Sequence, residues 1–242
     1  MIEKNELIQT SDGNMDTFVV HPDGGSNFPL VVFLMDAPGK REELHVMARR
    51  IASSGYYVLL PDLYYRFEPG FVTDFTEESR KIMFSYMHSL TYKMIISDFE
   101  SLLHYAKNES LCNDSLVGTV GYCMSGPFAF RLASRFPEII KSAASVHGVS
   151  LFTEDNESPH LFANKITGEI YFACAENDSY APTEMINKLN DYLKKININY
   201  KIETYPGTGH GFVFPQRIGL YDENAAEKHW ERLLDLFNRT LS

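Results

Sequence analysis

Leu30-Val31-Val32-Phe33-Leu34-Met35 is an unbroken apolar run. A strand with no polar face has no side to turn to water, so it belongs in a sheet covered on both faces. The rest of the chain follows suit, with strand-like and helix-like segments taking turns. Thr17–His21 reads as an early strand, closed by a turn at His21-Pro22-Asp23-Gly24-Gly25. Residues Glu42–Ser54 carry Leu44, Met47, Ala48 and Ile51 at helical spacing and stop at Gly55. Tyr56–Leu60 reads as a strand, Tyr92–Asn108 as a helix and Leu116–Val120 as a strand. Pro127–Arg135 follows as a helix, Lys141–His147 and Glu169–Cys174 as strands, and Thr183–Lys195 as a helix. Tyr200–Tyr205 is the last strand, and Asn224–Arg239 is an amphipathic helix carrying Trp230, Leu233, Leu234 and Phe237. The alternation predicts an α/β class: a mostly parallel central sheet with helices on both faces. Ligands in such sheets bind beyond the carboxyl ends of the strands. No repeat or linker divides the chain, so 1–242 reads as one domain. The irregular, aromatic-rich stretch 64–91 is the candidate lid or pocket wall.

Composition narrows the function classes. The 242 residues carry a net charge of −10. That acidity argues against nucleic acid or an anionic membrane surface as partner, since both need clustered Lys and Arg. No apolar run approaches the roughly 18 residues of a membrane helix. The beginning, Met1-Ile2-Glu3-Lys4-Asn5-Glu6, has no signal-peptide core. Cys112, Cys123 and Cys174 are widely spaced, with neither metal-ligand spacing nor a disulfide pattern. The expectation is a cytoplasmic protein in a reducing compartment, a monomer or small homo-oligomer, with no metal.

The stretch Val117-Gly118-Thr119-Val120-Gly121-Tyr122-Cys123-Met124-Ser125-Gly126 is where chemistry is legible. An apolar strand meets a turn of small residues, and a helix follows. This is the form of a nucleophile elbow, whose sharp bend requires small residues two positions either side of the nucleophile. Gly121 and Ser125 meet that need around Cys123. Ser125 as nucleophile would put Pro127 at a position that suits proline poorly, because proline lacks an N–H. The bland alternative is that Cys123 is a small buried hydrophobe, as many free cysteines are.

A thiol nucleophile needs a base and a group to orient it, in the chain order nucleophile, acid, histidine. His147, His160, His210 and His229 are the histidines after Cys123. His210 lies in Gly207-Thr208-Gly209-His210-Gly211-Phe212, just past the last strand. His229 sits in the final helix and reads as a packing or solvated residue. His147 ends a strand beside Gly148 and reads as structural. In the loop Ala175-Glu176-Asn177-Asp178-Ser179-Tyr180, Asp178 is the preferred acid and Glu176 the alternative. The reading is a triad of Cys123, His210 and Asp178, with an oxyanion hole from the N–H groups of Met124 and Ala37.

These residues resemble the dienelactone hydrolase family of the α/β-hydrolase superfamily. The resemblance runs through Met35-Asp36-Ala37-Pro38-Gly39, Arg41-Glu42-Glu43-Leu44 and Gly55-Tyr56-Tyr57-Val58-Leu59-Leu60-Pro61-Asp62-Leu63-Tyr64. It continues through Gly121-Tyr122-Cys123, the Asp178 loop and Gly209-His210-Gly211-Phe212. It implies an eight-stranded sheet with seven helices, no cofactor, and hydrolysis of a small ester or lactone substrate through an acyl-thioester. It also implies a thiol-modulating carboxylate, a place taken here by Asp36 where glutamate is usual. An arginine is usual shortly after the histidine. Here Val213-Phe214-Pro215 follows, and Arg217 is the nearest arginine. Ser125 replaces a usual glycine. Arg80 or Lys93 is a candidate to supply a cation instead, and Tyr64, Phe212 and Phe214 are candidates to line the pocket. Acyl transfer or thioester cleavage on the same triad, or ligand binding without catalysis, are the competing readings.

Overall fold

A computed structural model describes all residues 1–242. The strands are β1 (Ile2–Thr10), β2 (Gly13–His21), β3 (Phe28–Leu34), β4 (Tyr57–Pro61), β5 (Cys112–Tyr122), β6 (Ile140–Val146), β7 (Glu169–Asn177) and β8 (Asn199–Gly209). The helices are α1 (Glu42–Ser53), α2 (Glu77–Ser89), α3 (Tyr92–Lys107), α4 (Gly126–Arg135), α5 (Thr183–Leu193) and α6 (Glu223–Thr240). The strands form an eight-stranded sheet in the order β1-β2-β4-β3-β5-β6-β7-β8. β1 and β2 are antiparallel, as are β2 and β4, whereas β3–β4, β6–β7 and β7–β8 pair in parallel. This is the mostly parallel α/β sheet that the alternation predicts. No helix is long and apolar enough to cross a membrane.

The chain divides into two compact units, Met1–Val117 and Gly118–Ser242. In the first, the apolar run of β3 is buried from Leu30 to Leu34, and all of β4 is buried. α1 buries Leu44, Met47, Ala48 and Ile51, the stripe read from its spacing. The expected irregular stretch 64–91 contains α2, whose Thr76 caps the helix by accepting from the Ser79 N–H. β1 was not legible. Only Ile8 and Thr10 of its nine residues are buried, so as a solvated edge strand it shows almost no apolar alternation. It pairs along its whole length with β2 through a two-residue turn at Ser11-Asp12.

In the second unit, β5 runs into a 3-10 turn at Cys123–Ser125, and α4 starts at Gly126. Two close approaches force small residues here. A Cβ on Gly121 would collide with the Ser125 carbonyl, and one on Gly126 with Ser145 Oγ and Gly148 Cα. Six α-helices differ from the seven that the resemblance implies. The segment Pro159–Lys165 forms a 3-10 helix. β6 stops at Val146, one residue earlier than expected, because His147 takes a left-handed backbone (φ 38°).

Gly126→Ala is therefore expected to overpack the α4 start and cost about 1–3 kcal/mol, read as a lower urea midpoint at unchanged slope. A neutral result would show that α4 does not press on the loop after β6.

Candidate active site

The elbow places Cys123 at the carboxyl end of β5 with φ 53°, a left-handed conformation for a residue with a Cβ. Non-glycine residues rarely take this conformation, and strain of this kind persists where the surroundings impose it. Here the surroundings are the tight turn itself and a hydrogen bond in which the Val149 N–H donates to the Cys123 carbonyl at 3.2 Å. Cys123 is half-buried. Met124 follows it inside the turn, buried.

β7 and β8 bring the other two groups alongside. Their parallel register is shifted between Ala175 and Asn177, and the last pair is Asn177 opposite Gly209. Such an irregularity re-aims the side chains beyond it. The next residues on the two strands are Asp178 and His210, which therefore emerge as neighbours. His210 Nδ1 lies 2.7 Å from Asp178 Oδ2, and His210 Nε2 lies 3.1 Å from Cys123 Sγ. The Asp178 carboxylate is fully buried. Its Oδ1 accepts the N–H groups of Tyr180 (2.9 Å) and Ala181 (3.0 Å). With both oxygens engaged, the carboxylate is fixed in orientation and fixes the tautomer of His210, whose Nδ1 donates to it. Burial alone would push the His210 pKa down. The bonds to Asp178 and Cys123 outweigh it and raise the value to about 9.

The remaining candidates are accounted for by their contacts. Glu176 is exposed and accepts the Gly207 N–H at 2.8 Å, so it faces away from the role of acid. His229 is fully buried, with Nε2 3.0 Å from Tyr122 Oη. That is packing, not solvation. His160 stacks on Phe152 and lies 2.7 Å from Ser158 Oγ. Burial pushes the thiols of Cys112 and Cys174 up to about 12, which keeps them neutral. No cluster of three or more His, Cys, Asp or Glu side chains is arranged to hold a metal ion.

Phe212 and Phe214 are buried, their rings 6.1 and 5.5 Å from that of His147. They back the His210 turn rather than face solvent. In the first unit, Asp36 is buried and bonded by Arg41 Nη1 (2.5 Å) and Nη2 (3.3 Å), while Arg41 also meets Glu43 at 2.6 Å. Ala37 accepts the Tyr64 hydroxyl at 2.9 Å, and Tyr64 is fully buried. Arg80 is exposed, 5.9 Å from the Phe75 ring. Two residues that the sequence does not single out as site residues flank His210: His147 on the buried side, and Tyr180, 59% exposed, with ring centroids 5.0 Å apart. Tyr180's place two residues after Asp178 is the signal that marks it.

The raised His210 pKa carries a sign. Its proton is held more tightly in the folded chain than at the ordinary value of 6.5. The stabilisation is full below that value and is lost as pH rises through about 9. Asp178→Asn removes the partner, so the stability gap between native chain and variant is expected to narrow between these pH values in urea melts. A constant gap would contradict the coupling.

Known proteins resemble the chain in sequence and in fold. The profile of the dienelactone hydrolase family matches residues 15–241. A "Putative carboxymethylenebutenolidase" from Synechocystis is 26% identical over 243 aligned residues, covering 98% of each chain. A "Carboxymethylenebutenolidase homolog" from Rattus norvegicus is 28% identical over 71% of this chain and 64% of the relative. The crystal structure of a "Putative Dienelactone Hydrolase" from Klebsiella pneumoniae superposes with a TM-score of 0.88 over 98% of each chain. At 20% identity that last likeness speaks to the fold.

Proposed function

The chain belongs to the dienelactone hydrolase family, and on that premise we propose that it hydrolyses small esters or lactones through Cys123, His210 and Asp178. The observation that carries the reading is the continuous line of contacts from Asp178 Oδ2 through His210 to Cys123 Sγ, at 2.7 and 3.1 Å. Both lie within the reach a proton transfer requires.

In the first half-reaction, the Cys123 sulfur attacks the carbonyl carbon with its proton held on His210 Nε2, the imidazole being charged at neutral pH. Asp178 stabilises the imidazolium and keeps it aligned, without itself taking the proton. The Met124 N–H, at the start of the turn, is suited to stabilise the oxyanion as charge develops. Collapse of the tetrahedral adduct breaks the carbon–oxygen bond to the leaving alkoxide, which receives the proton from His210. An acyl-thioester on Cys123 remains. In the second half, His210 takes a proton from water, and the resulting attack returns the thiol and releases the acid. Splitting the reaction this way requires a thiol that is both accessible and next to a base, which Cys123 is and Cys112 and Cys174 are not.

Cys123→Ala is expected to lower kcat/KM for p-nitrophenyl acetate by at least about 10³-fold, with the melting temperature unchanged, since removing a triad nucleophile leaves only the residual contribution of binding and the oxyanion hole. Asp178→Asn, which leaves the imidazole in the wrong tautomer, is expected to lower kcat with little change in KM. Full activity in Cys123→Ala contradicts the proposal.

A further inference from the structure

His147 is the one imidazole near the triad that the proposed chemistry leaves without a task. Its ring is 4.7 Å from that of His210 between centroids, the planes at 66°. The residue is 1% exposed, and neither ring nitrogen has a hydrogen-bond partner. Both facts bear on what the ring does. Without a hydrogen bond between the two imidazoles, His147 does not relay a proton to His210. A buried, unpartnered imidazole on a left-handed backbone (φ 38°) is also a combination that packing alone does not favour.

The segment that carries the ring is tied down on both sides. The His147 N–H donates to the Ala173 carbonyl at 2.7 Å, anchoring it to β7. The next residue, Gly148, lies against Gly126 at the start of α4, and Val149 donates to the Cys123 carbonyl. The position of the His147 ring is thus set by the elbow and by β7, and the ring in turn meets His210. Phe214 and Phe212 pack behind it, and Tyr122 lies 6.0 Å away.

We propose that His147 is a positioning residue for His210: its neutral ring holds the His210 imidazole in line between Cys123 and Asp178 and supports the charged form of that imidazole. The proposal rests on the triad reading above. The titratable and charged groups around His147 are His210 from the turn after β8, Arg217 further along that loop, His229 from α6 and Tyr122 from the end of β5. Burial, with the charge of His210 opposing a further cation, keeps His147 neutral. A neutral aromatic ring within about 6 Å of a cation attracts it, and more strongly when both are desolvated. A charged His147 would do the opposite. Tyr180, which is exposed, supplies a second ring beside His210, 5.0 Å from it between centroids.

The test compares a ring with its absence. His147→Phe keeps a neutral ring, His147→Leu keeps apolar bulk without one, and His147→Gln keeps polar atoms without one. Each is read by melting temperature, by kcat and KM for p-nitrophenyl acetate, by the iodoacetamide alkylation rate of Cys123 at pH 7, and by the His210 titration followed by NMR. His147→Phe is expected to stay within about threefold of the native chain in kcat and alkylation. Whichever of the Leu and Gln variants melts as the native chain does should lose about tenfold in kcat and alkylation at unchanged KM, with the His210 midpoint about one pH unit lower, in keeping with the size of a desolvated cation–ring contact. Native behaviour in the folded Leu or Gln variant overturns the proposal, as does a folded Phe variant as impaired as those two. An unreactive Cys123 in the native chain, or an active Cys123→Ala variant, would remove the triad itself and this proposal with it.

Discussion

The proposed site in the second unit depends on backbone passing closely by backbone at the elbow. Gly121 lies under the Ser125 carbonyl, and Gly126 lies against Gly148 and Ser145. These approaches leave no room for a gradual bend from β5 into α4. The chain turns within three residues, and the strain falls on Cys123, at φ 53°. Close packing here does two jobs. It lifts a thiol out of the strand plane at the sheet's carboxyl edge, and it sets the distance from the elbow to the segment after β6 that carries His147. A looser turn would give Cys123 rotational freedom and the His210 contact would be one arrangement among several. Positioning of this kind is where much of an enzyme's rate advantage comes from.

The second determinant is the end of the β7–β8 pair. Two parallel strands with a regular register would deliver their following loops side by side without aiming them. The irregularity at Ala175/Asn177 re-aims this end, and the Asn177–Gly209 pair puts Asp178 and His210 one residue further on together. The Asp178 carboxylate is then held by two backbone N–H groups of its own loop. The acid needs no help from distant parts of the chain, and its orientation passes through His210 to sulfur.

Much of this was legible from the residues. The apolar run of β3 announced a sheet covered on both faces, and the helical stripe of α1 followed from four residues at the right spacing. The register of small residues around Cys123 pointed to the turn, and the chain order of acid and histidine pointed to Asp178 and His210, which lie within hydrogen-bond reach of each other and of the thiol. What was not legible has a common cause: it depends on contacts that the chain makes only once it is folded. β1 buries only two side chains, so its pattern is that of a solvated segment until β2 pairs with it. The resemblance gives Asp36 a thiol-modulating place, and the guanidinium of Arg41 that grips it becomes its partner when Pro38 and Gly39 turn the chain back. Tyr64, Phe212 and Phe214 are aromatic and near the right segments, yet their rings are buried. An aromatic side chain in a loop is equally able to line a pocket or to back it. From the sequence His147 reads as structural, because nothing local distinguishes it. Its significance comes from the ring that β8 brings to it.

The proposed chemistry stands on sulfur at position 123 carrying the acyl group. Rapid acid quenching during turnover of p-nitrophenyl acetate, followed by digestion and mass spectrometry, tests it most directly. An acetyl group is expected on the peptide that contains the elbow, located at Cys123 by fragmentation and removed by neutral hydroxylamine as a thioester is. An acetyl group on Ser125, or steady turnover with no acylated Cys123 at any quench time, would contradict it.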